Sequence, residues 1–117
     1  MSKPLGPYTP VVRAGDFVFV SGQGALVDGK KIDGGVVAET EQAMKNLAAL
    51  LESVGASLGD VVKTTCFLTD MENYAAFNRA YSAAFGDHRP ARSCVAVAAL
   101  PANFLVEIEA VAYLPAE

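Results

Sequence analysis

Apolar and polar positions alternate in some stretches of this chain and recur at helical spacing in others. Residues 11–13 and 17–20 are short apolar, β-favouring runs, separated by the turn signal Ala14-Gly15-Asp16, and they predict a hairpin. The second run leads into Ser21-Gly22-Gln23-Gly24. Two glycines at a strand end predict a bend or a close backbone approach. Asp28-Gly29-Lys30-Lys31 and Asp33-Gly34-Gly35 read as turns. Residues 39–54 predict a helix, because Met44, Leu47, Leu51 and Val54 recur at spacings of 3, 4 and 3. Glu39 and Glu41 lie near its start, where the helix dipole favours acids. Gly55 stops it, and Ser57-Leu58-Gly59-Asp60 has the form of a capping box.

Residues 61–68 are rich in β-branched side chains and predict a strand. Asp70 suits the N-cap of a second helix over 71–85, whose apolar positions are Tyr74, Phe77, Tyr81 and Phe85, and Gly86 ends it. Arg89-Pro90 breaks the chain before a strand over 92–98. A loop at Leu100-Pro101-Ala102-Asn103 precedes the last strand, 105–113. The order ββ-α-β-α-ββ predicts an α+β fold: one domain over 1–117, a mixed β-sheet with two helices on one face. The other face would carry Val95 and Val97, or Val106 and Ile108. That surplus of apolar strand surface predicts an oligomer that packs sheet faces together.

The chain has 117 residues, and 52% of them are hydrophobic. Its two cysteines, Cys66 and Cys94, exclude a disulfide-rich scaffold, and a single histidine, His88, excludes a multi-histidine metal site. With 9 basic and 13 acidic residues the formal charge is −4, and only Lys30 and Lys31 are adjacent cations. That balance argues against a nucleic-acid binder, which needs clustered cations. No apolar run is long enough to span a membrane, and the first residues lack the apolar core of a signal peptide. The expected location is the cytoplasm, with both thiols reduced.

Strand alternation puts Arg92 and Cys94 on one face, and Glu107 and Glu109 together on one face of the last strand. If those strands are neighbours, a cation, a thiol and a carboxylate converge. Arg92 stands among small and apolar residues. Its planar fork suits a carboxylate ligand, and equally an internal salt bridge to Glu107 or Glu109. Glu107 fits a general acid/base if desolvated, or a surface glutamate. Glu109 reads as a surface glutamate. Cys94 would need a nearby base to act as a nucleophile, and otherwise packs as a small hydrophobe, as Cys66 does. His88, beside Asp87 and Arg89, reads as solvent-facing. Tyr8, after Gly6-Pro7, either closes a pocket or clamps the terminus. Asn78, among the apolar positions of the second helix, either caps a loop or faces a site.

Taken in order, several segments resemble the Rid (YjgF/RidA) family over residues 6–113. They are Gly6-Pro7-Tyr8-Thr9, Phe19-Val20-Ser21-Gly22-Gln23, Val62-Lys63-Thr64-Thr65, Phe67-Leu68-Thr69-Asp70, Pro90-Ala91-Arg92-Ser93, Leu100-Pro101 and Val106-Glu107-Ile108-Glu109-Ala110. The resemblance implies a chorismate-mutase-like fold and a homotrimer with a barrel-like core and clefts between subunits. It implies hydrolysis of 2-imino acids and their enamine tautomers to 2-keto acids and ammonia, without metal or cofactor. Arg92 would hold the substrate carboxylate, and Glu107 would position or activate water. Tyr8, Ser21, Gly22, Asn78 and Cys94 would line the cleft, with Phe85 as a further wall. The segment Gly86-Asp87-His88-Arg89 is more compact than in many family members, and Ala96 and Ala102 stand where an acid and a lysine are common. Two alternatives remain: a non-catalytic small-carboxylate binding or regulatory protein on the same fold, and a specialised deaminase for aminomuconate-type substrates. The family's ribonuclease description finds no support in the charge balance.

Overall fold

A computed structural model describes residues 4–116. Its strands are β1 (Val11–Ala14), β2 (Phe17–Gln23), β3 (Leu26–Val27), β4 (Lys30–Lys31), β5 (Val61–Leu68), β6 (Ala91–Ala96) and β7 (Val106–Tyr113). The helices are α1 (Gly35–Glu52) and α2 (Tyr74–Phe85). Five strands form one sheet in the order β1-β2-β7-β5-β6. All its pairs are antiparallel except β5 with β6, which the α2 crossover lets run parallel. The sheet is therefore mixed, with both helices on one face, as expected.

Period-2 burial fixes which side is covered. Val18 and Val20 on β2, Cys66 and Leu68 on β5, and Val106, Ile108, Ala110 and Ala112 on β7 are buried beneath the helices. Leu47 and Leu51 of α1 and Phe77 and Tyr81 of α2 meet them. Of the two alternatives for the uncovered face, Val106 and Ile108 are thus excluded. That face carries Val12, Phe17, Phe19, Val95 and Tyr113, each between 43 and 46% exposed.

Several boundaries differ from the sequence pattern. Helix α1 starts at Gly35, a turn earlier than the apolar repeat shows, and ends at Glu52. Gly34 and Gly35 have φ of 133° and 84°, so they swing the chain into the helix where other residues would be strained. Val36 and Val37 follow, and their β-branching hides the first turn from a propensity reading. Asp28 and Gly29, at φ 51° and 80°, form a two-residue turn between β3 and β4, so a miniature hairpin replaces the bare turn expected there. Asp70 accepts from the Glu72 N–H at 2.9 Å, but it caps a single 3-10 turn (Met71–Asn73) before α2. Strand β6 ends at Ala96, not residue 98. Ser57 and Asp60 do close the expected cap, with Asp60 Oδ2 accepting from Ser57 N at 2.9 Å.

Glu39, expected near the start of α1, lies a turn inside it and is fully buried. Its Oε2 pairs with Lys31 Nζ at 3.3 Å, and its Oε1 accepts from Leu105 N at 2.9 Å. One carboxylate thus ties α1 to β4 and to the chain entering β7. Glu39→Ala is expected to cost about 2–4 kcal/mol, because it strands a half-buried ammonium and a backbone donor. Urea unfolding checks this, and an unchanged midpoint would refute it.

Candidate functional site

The site residues named from sequence fall into two groups on opposite faces of the sheet. The first is built on β6 and α2. In the parallel register Thr64 pairs with Arg92 and Cys66 with Cys94, so Arg92 and Cys94 share the helix-covered face. Asn78 projects from α2 toward this edge strand. Arg92 Nη1 donates to Asn78 Oδ1 at 2.9 Å, and Nη2 donates to the Tyr74 hydroxyl at 3.0 Å. The guanidinium carbon lies 5.6, 5.7 and 5.0 Å from the ring centroids of Tyr74, Phe77 and Tyr81. Tyr81 is held in turn by Thr64, with 2.6 Å between the two hydroxyls. Two donors of the fork are committed and its carbon lies within cation–π range of three rings, so the cation is held without a carboxylate partner among the described residues.

The expected alternative, an Arg92 salt bridge to Glu107 or Glu109, is not formed. Strand β5 separates β6 from β7, and the glutamates project from the uncovered face. Among the described residues the ion pair is Lys31–Glu39. Cation, thiol and carboxylate therefore do not converge within one chain.

The second group surrounds a cleft of about 430 Å³ at the end of β2. Tyr8, Ser21, Gly22 and Glu107 line it. The register of β2 with β7 slips between Val20 and Gln23. This bulge is the bend that the paired glycines announced, and the close approach is present as well. A Cβ on Gly22 would lie 2.8 Å from the Glu107 carboxyl carbon, and one on Gly24 would lie 2.4 Å from the Phe104 ring. Ser21 Oγ donates to Thr9 O at 2.7 Å and Ser21 N to Pro10 O at 2.9 Å, which fastens the N-terminal arm to the bulge. The Tyr8 hydroxyl accepts from Leu5 N at 3.2 Å. Asn46 of α1 fixes the other side of the bulge, donating to Gly24 O and Leu26 O at 3.0 and 2.9 Å.

Half-burial pushes the Glu107 carboxyl up from its ordinary range, and the neighbouring Glu109 adds to the rise. Burial also raises the Cys94 thiol, against the opposing pull of Arg92, so Cys94 is a poor nucleophile. Burial pushes Cys66 up to about 12, in keeping with an inert core residue.

Phe85 is buried against Tyr81 and His88 at the end of α2, away from the cleft at β2, as Arg92, Asn78 and Cys94 also are. One expectation is corrected: His88 does not face solvent freely, because its Nε2 lies 2.7 Å from Val61 O. Tyr74 was missed as a site residue, having been counted as an apolar helix position. Its place four residues before Asn78, on the same helix face, was the available signal. Among the described residues no group of three or more His, Cys, Asp or Glu side chains is arranged to hold a metal. No helix among them is long and apolar enough to cross a membrane.

A held guanidinium at one sheet edge and a carboxylate-walled cleft at a bulge are thus carried on one small α+β sheet with its two helices on one face. The family model described as Endoribonuclease L-PSP matches residues 1–114. A mouse protein named 2-iminobutanoate/2-iminopropanoate deaminase is 42% identical over 110 residues, covering 92% of this chain and 82% of that one. A crystal structure from Thermotoga maritima superposes with a TM-score of 0.93 at 47% identity, covering 98% and 92% of the two chains. Escherichia coli TdcF with bound serine superposes with a TM-score of 0.88 at 37% identity, covering 94% and 90%. The chain belongs to the Rid (YjgF/RidA/RutC) family.

Proposed function

We propose that the protein hydrolyses 2-imino acids and their enamine tautomers to 2-keto acids and ammonia, in a cleft completed between copies of a homotrimer. The observation that carries this reading is Arg92, a guanidinium held by Asn78 and Tyr74 that no carboxylate among the described residues neutralises. Such a fork is preorganised for the carboxylate of a planar substrate. The mouse relative's name and the serine held by the E. coli relative point the same way.

The imine carbon is already electrophilic, so the reaction calls for no metal or cofactor. Water held by Glu107 adds to that carbon, and the carboxylate takes its proton. The proton then passes to nitrogen, the C–N bond breaks and ammonia leaves. The balance is R–C(=NH)–COO⁻ + H₂O → R–C(=O)–COO⁻ + NH₃. Tyr8, Ser21, Gly22, Asn78 and Cys94 shape the cleft, Cys94 without a reactive thiol. Since Arg92 and Glu107 face opposite sides of one sheet, a neighbouring copy must supply one of them. The apolar sheet face of Val12, Phe17, Phe19, Val95 and Tyr113 favours such an assembly, with a chorismate-mutase-like, barrel-like core. Two unpaired cysteines suit a reducing compartment, taken here as the cytoplasm.

The test generates 2-iminobutanoate with an amino-acid oxidase and traps it with semicarbazide. The protein is expected to suppress the semicarbazone signal; no suppression at any concentration would overturn the reading. The serine-bound relative also favours a second reading, a carboxylate-binding protein without turnover. Calorimetric binding of 2-oxobutanoate with no imine hydrolysis would select it. RNA cleavage is disfavoured by the charge of −4.

Activity as a base requires the Glu107 carboxylate, so the rate falls as pH drops through its raised pKa. Glu109→Gln removes one cause of the rise. The acid limb of the pH–rate profile is expected to move to lower pH in that variant, and a limb that stays put or moves up would exclude the coupling.

A further inference from the structure

Thr64 and Tyr81 form a buried pair that the proposed hydrolysis leaves without a task. Thr64 is fully buried, Tyr81 is 5% exposed, and their hydroxyl oxygens lie 2.6 Å apart. Burial, against the opposing effect of the bond to Thr64, raises the Tyr81 hydroxyl from its ordinary value and keeps it protonated. Packing calls for neither hydroxyl. Tyr81 stands in a row of α2 rings, 5.5 Å from Phe77 and 4.9 Å from Phe85, and a phenylalanine ring would fill the same place. A valine would fill that of Thr64. Replacing both members of such a pair by apolar groups of the same shape costs little or nothing in stability.

Both members adjoin Arg92. Thr64 is its register partner on β5, and the Tyr81 ring is the nearest of the three around the guanidinium, at 5.0 Å. Strand β6, which carries Arg92, is the sheet edge, with β5 as its one neighbour in the sheet. Helix α2 supplies the other holds on the cation: Tyr74, Asn78 and Tyr81 follow one another at spacings of four and three, on one helix face. The hydroxyl bond joins that face directly to β5, and so fixes where α2 stands over Arg92. Both groups are enclosed by their own chain, and a neighbouring copy reaches neither.

We propose that Thr64 and Tyr81 are positioning residues of the carboxylate site: their hydroxyl bond sets the place of α2 over β6, and with it the direction in which the Arg92 fork meets the substrate. This rests on the reading of Arg92 as the carboxylate anchor, and adds two side chains whose hydroxyls never touch the ligand. A binding group has to be held to within about 0.5 Å of its productive place, and supporting hydrogen bonds are what hold it there.

The test is the double variant Thr64→Val with Tyr81→Phe, in which neither partner is left unpaired. Its urea midpoint is expected at or above the parent's, while kcat/KM for 2-iminobutanoate falls by about tenfold, with kcat sharing in the loss, because a misdirected fork misplaces the bound imine carbon. Thr64→Ser keeps the hydroxyl and is expected to lose much less than Thr64→Val. A folded double variant with the parent's kcat, or a Thr64→Ser protein as impaired as Thr64→Val, overturns the inference and leaves the deaminase reading in place. Should the double variant fail to fold, Tyr81→Phe alone, which keeps the ring, is read in the same way. If the parent hydrolyses no imine, the deaminase reading fails, and calorimetry with 2-oxobutanoate decides: a raised Kd in the double variant upholds the positioning role, and an equal Kd, or no binding by the parent, removes it.

Discussion

Arg92→Ala is expected to lower kcat/KM for 2-iminobutanoate by roughly two orders of magnitude while leaving the assembly intact. The variant loses a charge-assisted pair with the substrate carboxylate, worth about 1.5–3 kcal/mol, and with it the orientation of the imine carbon toward water. A loss near the top of that range is a hundredfold in rate. The fold should tolerate the change. The partners left behind, Asn78 Oδ1 and the Tyr74 hydroxyl, lie on half-buried and exposed side chains that water can reach. Arg92→Lys sharpens the test, because it keeps the charge but lacks the planar fork that engages both partners and a carboxylate together. It should recover little of the loss. Parental turnover in Arg92→Ala, with an unchanged sedimentation profile, would show that the carboxylate is held elsewhere.

Glu107→Gln is expected to separate activity from stability. Turnover should fall by about 10²–10⁴, the usual contribution of a positioned acid or base. Stability at neutral pH should rise. Burial, and then Glu109, raise the Glu107 carboxyl above its unfolded value. Its stabilising contribution is therefore present below the unfolded pKa and is lost as pH climbs through the folded one. At neutral pH the ionised group is a burden that glutamine does not carry. Urea midpoints of the two proteins should differ at pH 7 and converge in acid. A variant less stable than the parent at pH 7 would mean that the carboxylate has a favourable partner in the assembled protein.

The two helices, the long strands and the glycine bulge could be read from the chain because each is a local pattern. Leu47 and Leu51 repeat at helical spacing, and Gly22 and Gly24 punctuate a strand. What local pattern does not contain is which strands lie side by side. Arg92 and Glu107 were both picked out, but their meeting assumed that β6 and β7 are neighbours. The interposed β5 keeps the two strands apart, and the register, which aligns Arg92 with Thr64 and Ala110, leaves Glu107 on the opposite face. The uncovered face was ambiguous for the same reason, since Val95 and Ile108 are equally apolar. Tyr74 escaped because its ring satisfies an apolar repeat while its hydroxyl serves Arg92. Glu39 escaped because an acid near a helix start has an ordinary explanation. Only the path of the chain past Lys31 and Leu105 reveals its burial.

The place of β7 has a consequence for how the protein is made. The last strand of the chain is the middle strand of the sheet, paired with β2 on one side and β5 on the other. While a ribosome is still translating, the β2 and β5 segments have no common partner, and Leu47, Leu51 and Phe77 have no Val106 or Ile108 to pack against. The nascent chain can form its helices early but cannot close its core until residues 106–113 emerge. A premature stop just short of β7 would thus release a polypeptide with two open strand edges and an uncovered apolar layer, suited to aggregation rather than to a smaller folded form.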